Sequence, residues 1–212
     1  MTYVIFQPAV CRKNDGGTFV LEKPFHLLPQ NDSPTDDRTP LMRGRSHSMS
    51  LVDVILGRRS IRRFEQKEIP KDILDRILEA GRQAPSAANR QPWHFIVLTD
   101  DRIKGRLSKW LFTKHIKNSS VTIVGCANTG LLDRRWSTIG TSIALQNMVI
   151  AAWAMGVGSC WIGGFKENEV KKLLGISDKW KVVALVSFGY PSEKPHAKRR
   201  KPIEKIVGYN KF

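Results

Sequence analysis

The segment Arg58-Arg-Ser-Ile-Arg-Arg-Phe64 sets two guanidinium groups and a hydroxyl (Arg58, Arg59, Ser60) at three successive positions. Fork-shaped, charge-assisted hydrogen bonds from such a trio can hold a phosphate; a solvated basic turn has the same composition. A second segment, Ala84-Pro-Ser-Ala-Ala-Asn-Arg-Gln-Pro-Trp-His-Phe95, places the hydroxyl of Ser86 and the carboxamides of Asn89 and Gln91 among alanines. A flat heteroaromatic can lie on such a surface with its polar edge met by amides, although an ordinary loop with Trp93 as core filler reads the same way. In Gly158-Ser-Cys-Trp-Ile-Gly-Gly-Phe165, adjacent glycines leave backbone N–H groups bare for a ring to approach, or simply close a strand with a turn.

Other chemistries lack their residues. There is no GxSxG, no GxxxxGK[ST] and no HExxH. Gly156-Val-Gly158 begins like a dinucleotide fingerprint, but the third glycine is missing and the segment follows a helix into a strand, the reverse of what that motif requires. The five histidines are scattered with none at i+3 or i+4 from another, so no metal site is expected. Cys11, Cys126 and Cys160 form no CxxC and read as free thiols of a reducing, cytoplasmic compartment. Cys160, beside the third segment, reads as a packed small side chain rather than a redox thiol. The longest apolar run, Met148 to Met155, is far short of the roughly 20 residues a membrane span needs, so no membrane partner is expected.

The elements that must position these segments begin near Met49. Residues 1–48 are dense in turn formers, with one short apolar stretch at Tyr3–Phe6 that suits a strand, and read as a flexible extension or a start-site artefact. From 49 to 212 a compact domain is expected. Ser50 and Asp53 make a capping-box start, Leu51, Val52, Ile55 and Leu56 share a helical face, and Gly57 suits the stop. Pro70 opens a second helix with Ile73, Leu74, Ile77 and Leu78 on its buried stripe, and Pro85 lies beyond its end. Strands are expected at His94–Leu98, Val121–Ala127, Ser159–Ile162 and Val182–Phe188. Helices are expected from Asp101 to Leu111, Ser142 to Met155 (buried nearly all round) and Glu167 to Leu174. Interleaved helices and strands around a central sheet predict an α/β or α+β class.

In this order, the three segments resemble the nitroreductase family of FMN-dependent oxidoreductases in its short form. Ala144-Leu-Gln-Asn147, Gly189-Tyr-Pro and Arg200-Lys-Pro202 extend the resemblance, which covers Ser50 to Phe212. It implies an α+β fold, helices flanking a mixed, mostly antiparallel sheet, in a homodimer whose C-terminal tail (Ile206–Phe212) is exchanged and whose active sites lie at the interface. It implies that Arg58, Arg59, Ser60 and Arg200, with Lys198 beside them, grip the phosphate and ribityl chain of FMN. It further implies that Arg62 reaches the pyrimidine edge of the flavin as the catalytic cation. Pro85, Ser86, Ala87 and Asn89 would be offered from the other subunit, Gln91 would fix that loop or meet the ring, and Trp161, Ile162 and Gly163 would lie along its N5 side. Gly163-Gly164 stands where some relatives carry Glu-Gly, and Thr113, Lys114 and Lys117 receive no role.

The expected activity is hydride transfer from NADH or NADPH and, in a ping-pong cycle, electron delivery to a nitroaromatic, quinone or similar acceptor. Reductive dehalogenation or flavin fragmentation is the alternative on the same cofactor. Composition is ordinary for a globular protein, with 41% hydrophobic and 25% charged residues, but the net charge is +16. Six basic and 5 acidic residues precede Met49, against 29 and 14 from it onward, so the excess sits in the domain and favours anionic ligands. A nucleic-acid-binding module is the remaining alternative. The basic arm Lys194–Lys205 contains no aromatic, which argues against it.

Overall fold

The computed structural model describes residues 11–13, 19–21, 50–130 and 134–212. The chain divides into two units at His47. In the first, β1 (Cys11–Lys13) pairs antiparallel with β2 (Phe19–Leu21), a hairpin pairing that the turn-rich sequence did not suggest. The strand expected at Tyr3–Phe6, and most of the expected flexible extension, lie outside the described residues.

The second unit opens with α1 (Leu51–Gly57). Its capping box forms as the sequence predicts: Ser50 Oγ accepts the Asp53 N–H at 3.1 Å, and the Asp53 carboxylate accepts the Ser50 N–H at 3.2 Å. Val54 is the buried residue, whereas Leu51, Val52, Ile55 and Leu56 are 69%, 61%, 49% and 69% exposed. Periodicity identified the apolar stripe correctly, but among the described residues nothing covers it.

α2 (Lys71–Arg82) follows, with Pro70 at the N-cap, one position earlier than a first-turn proline. β3 (Trp93–Leu98) leads to α3 (Asp101–Leu107), whose N-cap Asp100 accepts the N–H groups of Arg102 and Ile103. The helix stops at Leu107 instead of Leu111, and a 3-10 helix, Leu111–Asn118, takes its place. β4 (Val121–Asn128), α4 (Arg134–Ala154), β5 (Gly158–Ile162), α5 (Glu167–Leu174) and β6 (Trp180–Gly189) complete the elements, apart from a short 3-10 turn at Ile203–Lys205. α4 begins well before Ser142, and its first half exposes Trp136, Ile139 and Ile143, so it is not buried all round.

The sheet order is β3-β4-β6-β5, every pair antiparallel; a single parallel bridge, Ser60 to Ser159, adds the turn after α1 to its edge. Between β4 and β6 the register passes from Gly125 opposite Ala184 to Cys126 opposite Val182, leaving Val183 as an extra residue. That bulge reverses the alternation along β6, so Val182 and Leu185 face one layer while Ala184, Val186 and Phe188 face the other. On one face these strands pack against α2 and α4 through Ile77, Leu145, Met148 and Val149. On the other they pack against α3, the 3-10 helix and α5 through Leu107, Ile116 and Val170. Each such fully buried side chain stabilises by about 1.5–3 kcal/mol. The result is a three-layer α+β unit that holds the α1–β5 junction and the end of β6 side by side.

Candidate active site

Three connections build the site from distant parts of the chain. After α1, the Ile61 N–H donates to Ser159 O at 2.9 Å, pinning the arginine turn to the start of β5. The chain leaving β6 then runs back along it: Glu65 N–H donates to Tyr190 O at 2.9 Å, Phe64 bridges Pro191, and Ser192 N–H donates to Arg63 O at 3.1 Å. Buried Ile61 and Phe64 lock the turn from beneath, leaving Arg62 and Arg63 exposed between them.

Arg58 and Arg200 come together by this route. The Arg58 guanidinium is held below its ordinary pKa, first by burial and then by the positive charges of Arg200 and Arg59, with Cys160 acting in the opposite sense. Among the described residues no carboxylate is among the groups that act on it. Folding has therefore gathered like charges at cost, which suits an anion such as a phosphate. Arg59 has a further duty: its Nη1 donates to the carbonyls of Leu56, Gly57 and Arg58 at 2.8–3.0 Å, closing the end of α1. Lys198 is exposed.

Beside this cluster lies a cleft of about 390 Å³ lined by Arg62, Cys160, Trp161, Ile162 and Gly163, with Phe112 and His115 of the 3-10 helix opposite. A Cβ built on Gly163 would meet nothing within 4 Å, so its backbone faces open space; one on Gly164 would press to 2.9 Å of Phe112. Trp161 is 36% exposed and steadied by its Nε1 donating to Gln146 Oε1 at 3.1 Å, so it is a wall of the cleft and not core. Trp136, 51% exposed on α4, is likewise outside the core of this chain.

His115 Nε2 is buried without a hydrogen-bond partner among the described residues. Burial, then Arg62, lowers the His115 pKa while Glu193 raises it, so the imidazole is neutral at pH 7. Burial pushes the Cys160 thiol up, and its Sγ lies 3.5 Å from Trp161 O, so it packs as a thiol and not as a thiolate. A larger hollow of about 590 Å³ lies elsewhere. Its buried cation Lys104 already bonds Asp101, Ser119 O and Ser120 O at 2.9, 2.7 and 3.2 Å, leaving no ammonium donor for a ligand.

Pro85, Ser86, Ala87, Asn89 and Gln91 do not line this cleft within the chain. Their loop is nonetheless held in a costly shape. Ala88, Asn89 and Gln91 all have positive φ (51°, 52° and 48°), secured by the Gln91 N–H donating to Ser86 Oγ at 2.9 Å and Gln91 Nε2 donating to Asn89 O at 3.2 Å. Gln91 thus fixes the loop. His115 and Glu193 escaped sequence reading: the 3-10 helix carries no clean periodicity, and Glu193 sits in a polar loop without a motif. The one available signal was a histidine three residues after Phe112 and next to Ile116.

The fold and the cleft define a three-layer α+β protein that presents a cationic grip beside an open glycine edge. Residues 55–122 and 123–190 match the nitroreductase family model. An Archaeoglobus fulgidus protein with the provisional name NADH dehydrogenase/NAD(P)H nitroreductase is 36% identical over 149 residues, covering 67% of this chain and 86% of its own. The crystal structure of a nitroreductase family protein from Clostridium novyi NT superposes with a TM-score of 0.65 at 35% identity, covering 68% of this chain and 87% of that one. An FMN-dependent nitroreductase from Clostridium difficile superposes at 0.69 with 28% identity, covering 76% and 99%. The chain belongs to the nitroreductase family and is an oxidoreductase.

Proposed function

We propose that the protein is an FMN-dependent oxidoreductase that takes hydride from NADH or NADPH and passes electrons to a nitroaromatic, quinone or similar acceptor. The carrying observation is the meeting of Arg58 and Arg200 without a counter-charge, next to a cleft with an open edge at Gly163. The residues present fit FMN. Arg58 and Arg200 would take its phosphate, with Ser60 adding a hydroxyl, Arg59 its charge, and Lys198 a more distant cation. When bound, FMN supplies a ring that accepts hydride and returns electrons.

This chain's own part is position and field. Ile162 and Gly163 line the cleft, and Trp161 and Phe112 form apolar walls beside them. Arg62 directs positive charge at the cleft, where it favours negative charge arriving with electrons. Hydride donor and acceptor would use one cleft in turn, giving ping-pong kinetics.

The site is complete only in a homodimer on this reading. The exposed faces of α1 and α4, together with Ile203, Ile206, Val207 and Tyr209 of the tail, form apolar surface that a second copy would cover by exchange of the tail. The strained Pro85–Gln91 loop would then reach the partner's cleft. A cytoplasmic location fits the free buried thiols Cys126 and Cys160.

The test is stopped-flow reduction of the FMN-loaded protein by each nicotinamide, followed by an acceptor panel. Fast bleaching of the flavin, reoxidation by acceptor and parallel double-reciprocal plots are expected. A chain that retains no FMN, or turns over as a stable monomer by sedimentation, refutes the reading.

A further inference from the structure

Glu193 stands where the pairing between the arginine turn and the chain after β6 changes character. Up to Ser192 the two segments exchange backbone hydrogen bonds. One residue on, a side chain replaces the backbone: Glu193 Oε1 accepts the N–H of Arg62 at 2.6 Å and of Arg63 at 3.1 Å. Its Oε2 is 4.0 Å from Arg63 Nε, but the Arg63 side chain is 82% exposed, so that pairing is weak. Only 25% of the Glu193 side chain is exposed. The two backbone bonds therefore fix its position, and they also fix the main chain from which Arg62 projects.

The carboxylate also acts on the cleft at a distance. His115 and Cys160, both in the cleft wall, feel Arg62 in one sense and Glu193 in the other. A cation aimed at the cleft is thus accompanied by a half-buried anion that moderates it.

We infer that Glu193 is a positioning residue: its carboxylate anchors the Arg62 backbone at the cleft, and its charge limits how far Arg62 favours the reduced form of the bound ring. The inference rests on the FMN reading above. Geometry and charge are separable, because the amide oxygen of glutamine still accepts both N–H groups while carrying no charge.

The experiment compares the full chain with Glu193→Gln and Glu193→Ala, measuring the FMN midpoint potential, the affinity for oxidised FMN, and the titration of His115 by NMR without FMN. Glu193→Gln keeps oxidised-FMN affinity within about threefold, because its hydrogen bonds persist. It favours reduced over oxidised FMN about tenfold, a positive shift of about 30 mV for a two-electron couple. Glu193→Ala loses affinity for oxidised FMN by about tenfold or more as the anchor goes, and its positive shift is smaller than that of Glu193→Gln because Arg62 is no longer held at the cleft. In both variants His115 titrates lower than in the parent. A midpoint unmoved in Glu193→Gln overturns the inference, as does an unchanged His115 titration. Failure of the flavin reading looks different: the parent would bind no FMN, while the His115 titration would still report whether Glu193 governs the cleft.

Discussion

Removing the charge of Arg200 should weaken cofactor binding without weakening the fold. Arg200 is exposed, and the group it acts on, Arg58, is itself a cation. Arg200→Gln therefore removes repulsion and little packing, so the melting temperature of the FMN-free protein holds or rises. Binding moves the other way. A hydrogen bond to a charged group contributes about 1.5–3 kcal/mol; the low end applies to solvent-screened Arg200 and the high end to half-buried Arg58. The expected losses in FMN affinity are about 10-fold for Arg200→Gln and about 100-fold for Arg58→Gln. Fluorescence titration measures both, with riboflavin as the control because it carries the same ring and no phosphate. Riboflavin affinity should be nearly untouched in either variant. If FMN and riboflavin lose affinity equally, the arginines are not holding the phosphate, and the assignment falls.

Gly163→Val should leave the fold intact, with stability within about 0.5 kcal/mol, because a Cβ there meets nothing within 4 Å, yet FMN affinity should drop at least about tenfold as the side chain enters the cleft. Unchanged affinity by the same titration would show that no ring approaches this edge. For His115, the native pKa lies below the ordinary 6.5, so the unfolded chain binds the proton first on acidification. The stability that neutral His115 contributes is complete above about pH 6.5 and declines as pH falls toward its native value; denaturant titrations should show His115→Gln flattening that decline. Equal slopes in parent and variant would contradict the burial assigned to this ring.

Local signals carried much of the fold because they act within a few residues. The Ser50–Asp53 box, the Asp101 start of α3 and the Glu167–Leu174 stripe all appear where capping and periodicity place them. The stripe on α1 shows the limit of such signals. Leu51, Val52, Ile55 and Leu56 share a helical face, and a 3.6-residue period reports that the face is apolar, not which surface covers it. α4 was shortened for the opposite reason: Arg134, Arg135 and Ser137 look polar, although Ser137, Gly140 and Thr141 are buried under tertiary packing. At the site, Arg58 and Arg200 were legible as charges with a family precedent. Glu193 was not, since a carboxylate that bonds backbone N–H groups 130 and 131 residues away leaves no trace in its neighbours.

These features share a cause. Stability alone would not gather Arg58, Arg59 and Arg200, leave His115 Nε2 without a partner among the described residues, hold three non-glycine residues of one loop at positive φ and expose four apolar side chains on one short helix. Each costs free energy in the isolated chain, and on the function proposed above something outside it would offset the cost. The imidazole lines the cleft and Arg58 acts on Cys160 in its wall, so on the FMN reading a bound anion bearing a polar-edged ring would offset both. The apolar stripe and the strained loop are surface features, so a second protein surface offsets those. Ligand binding and assembly should therefore be coupled: disrupting the apolar face with Ile55→Glu should lower FMN affinity even though Ile55 is absent from the cleft lining. A sedimentation-verified monomer that binds FMN as tightly as the parent would separate the two and leave the loop geometry without its explanation.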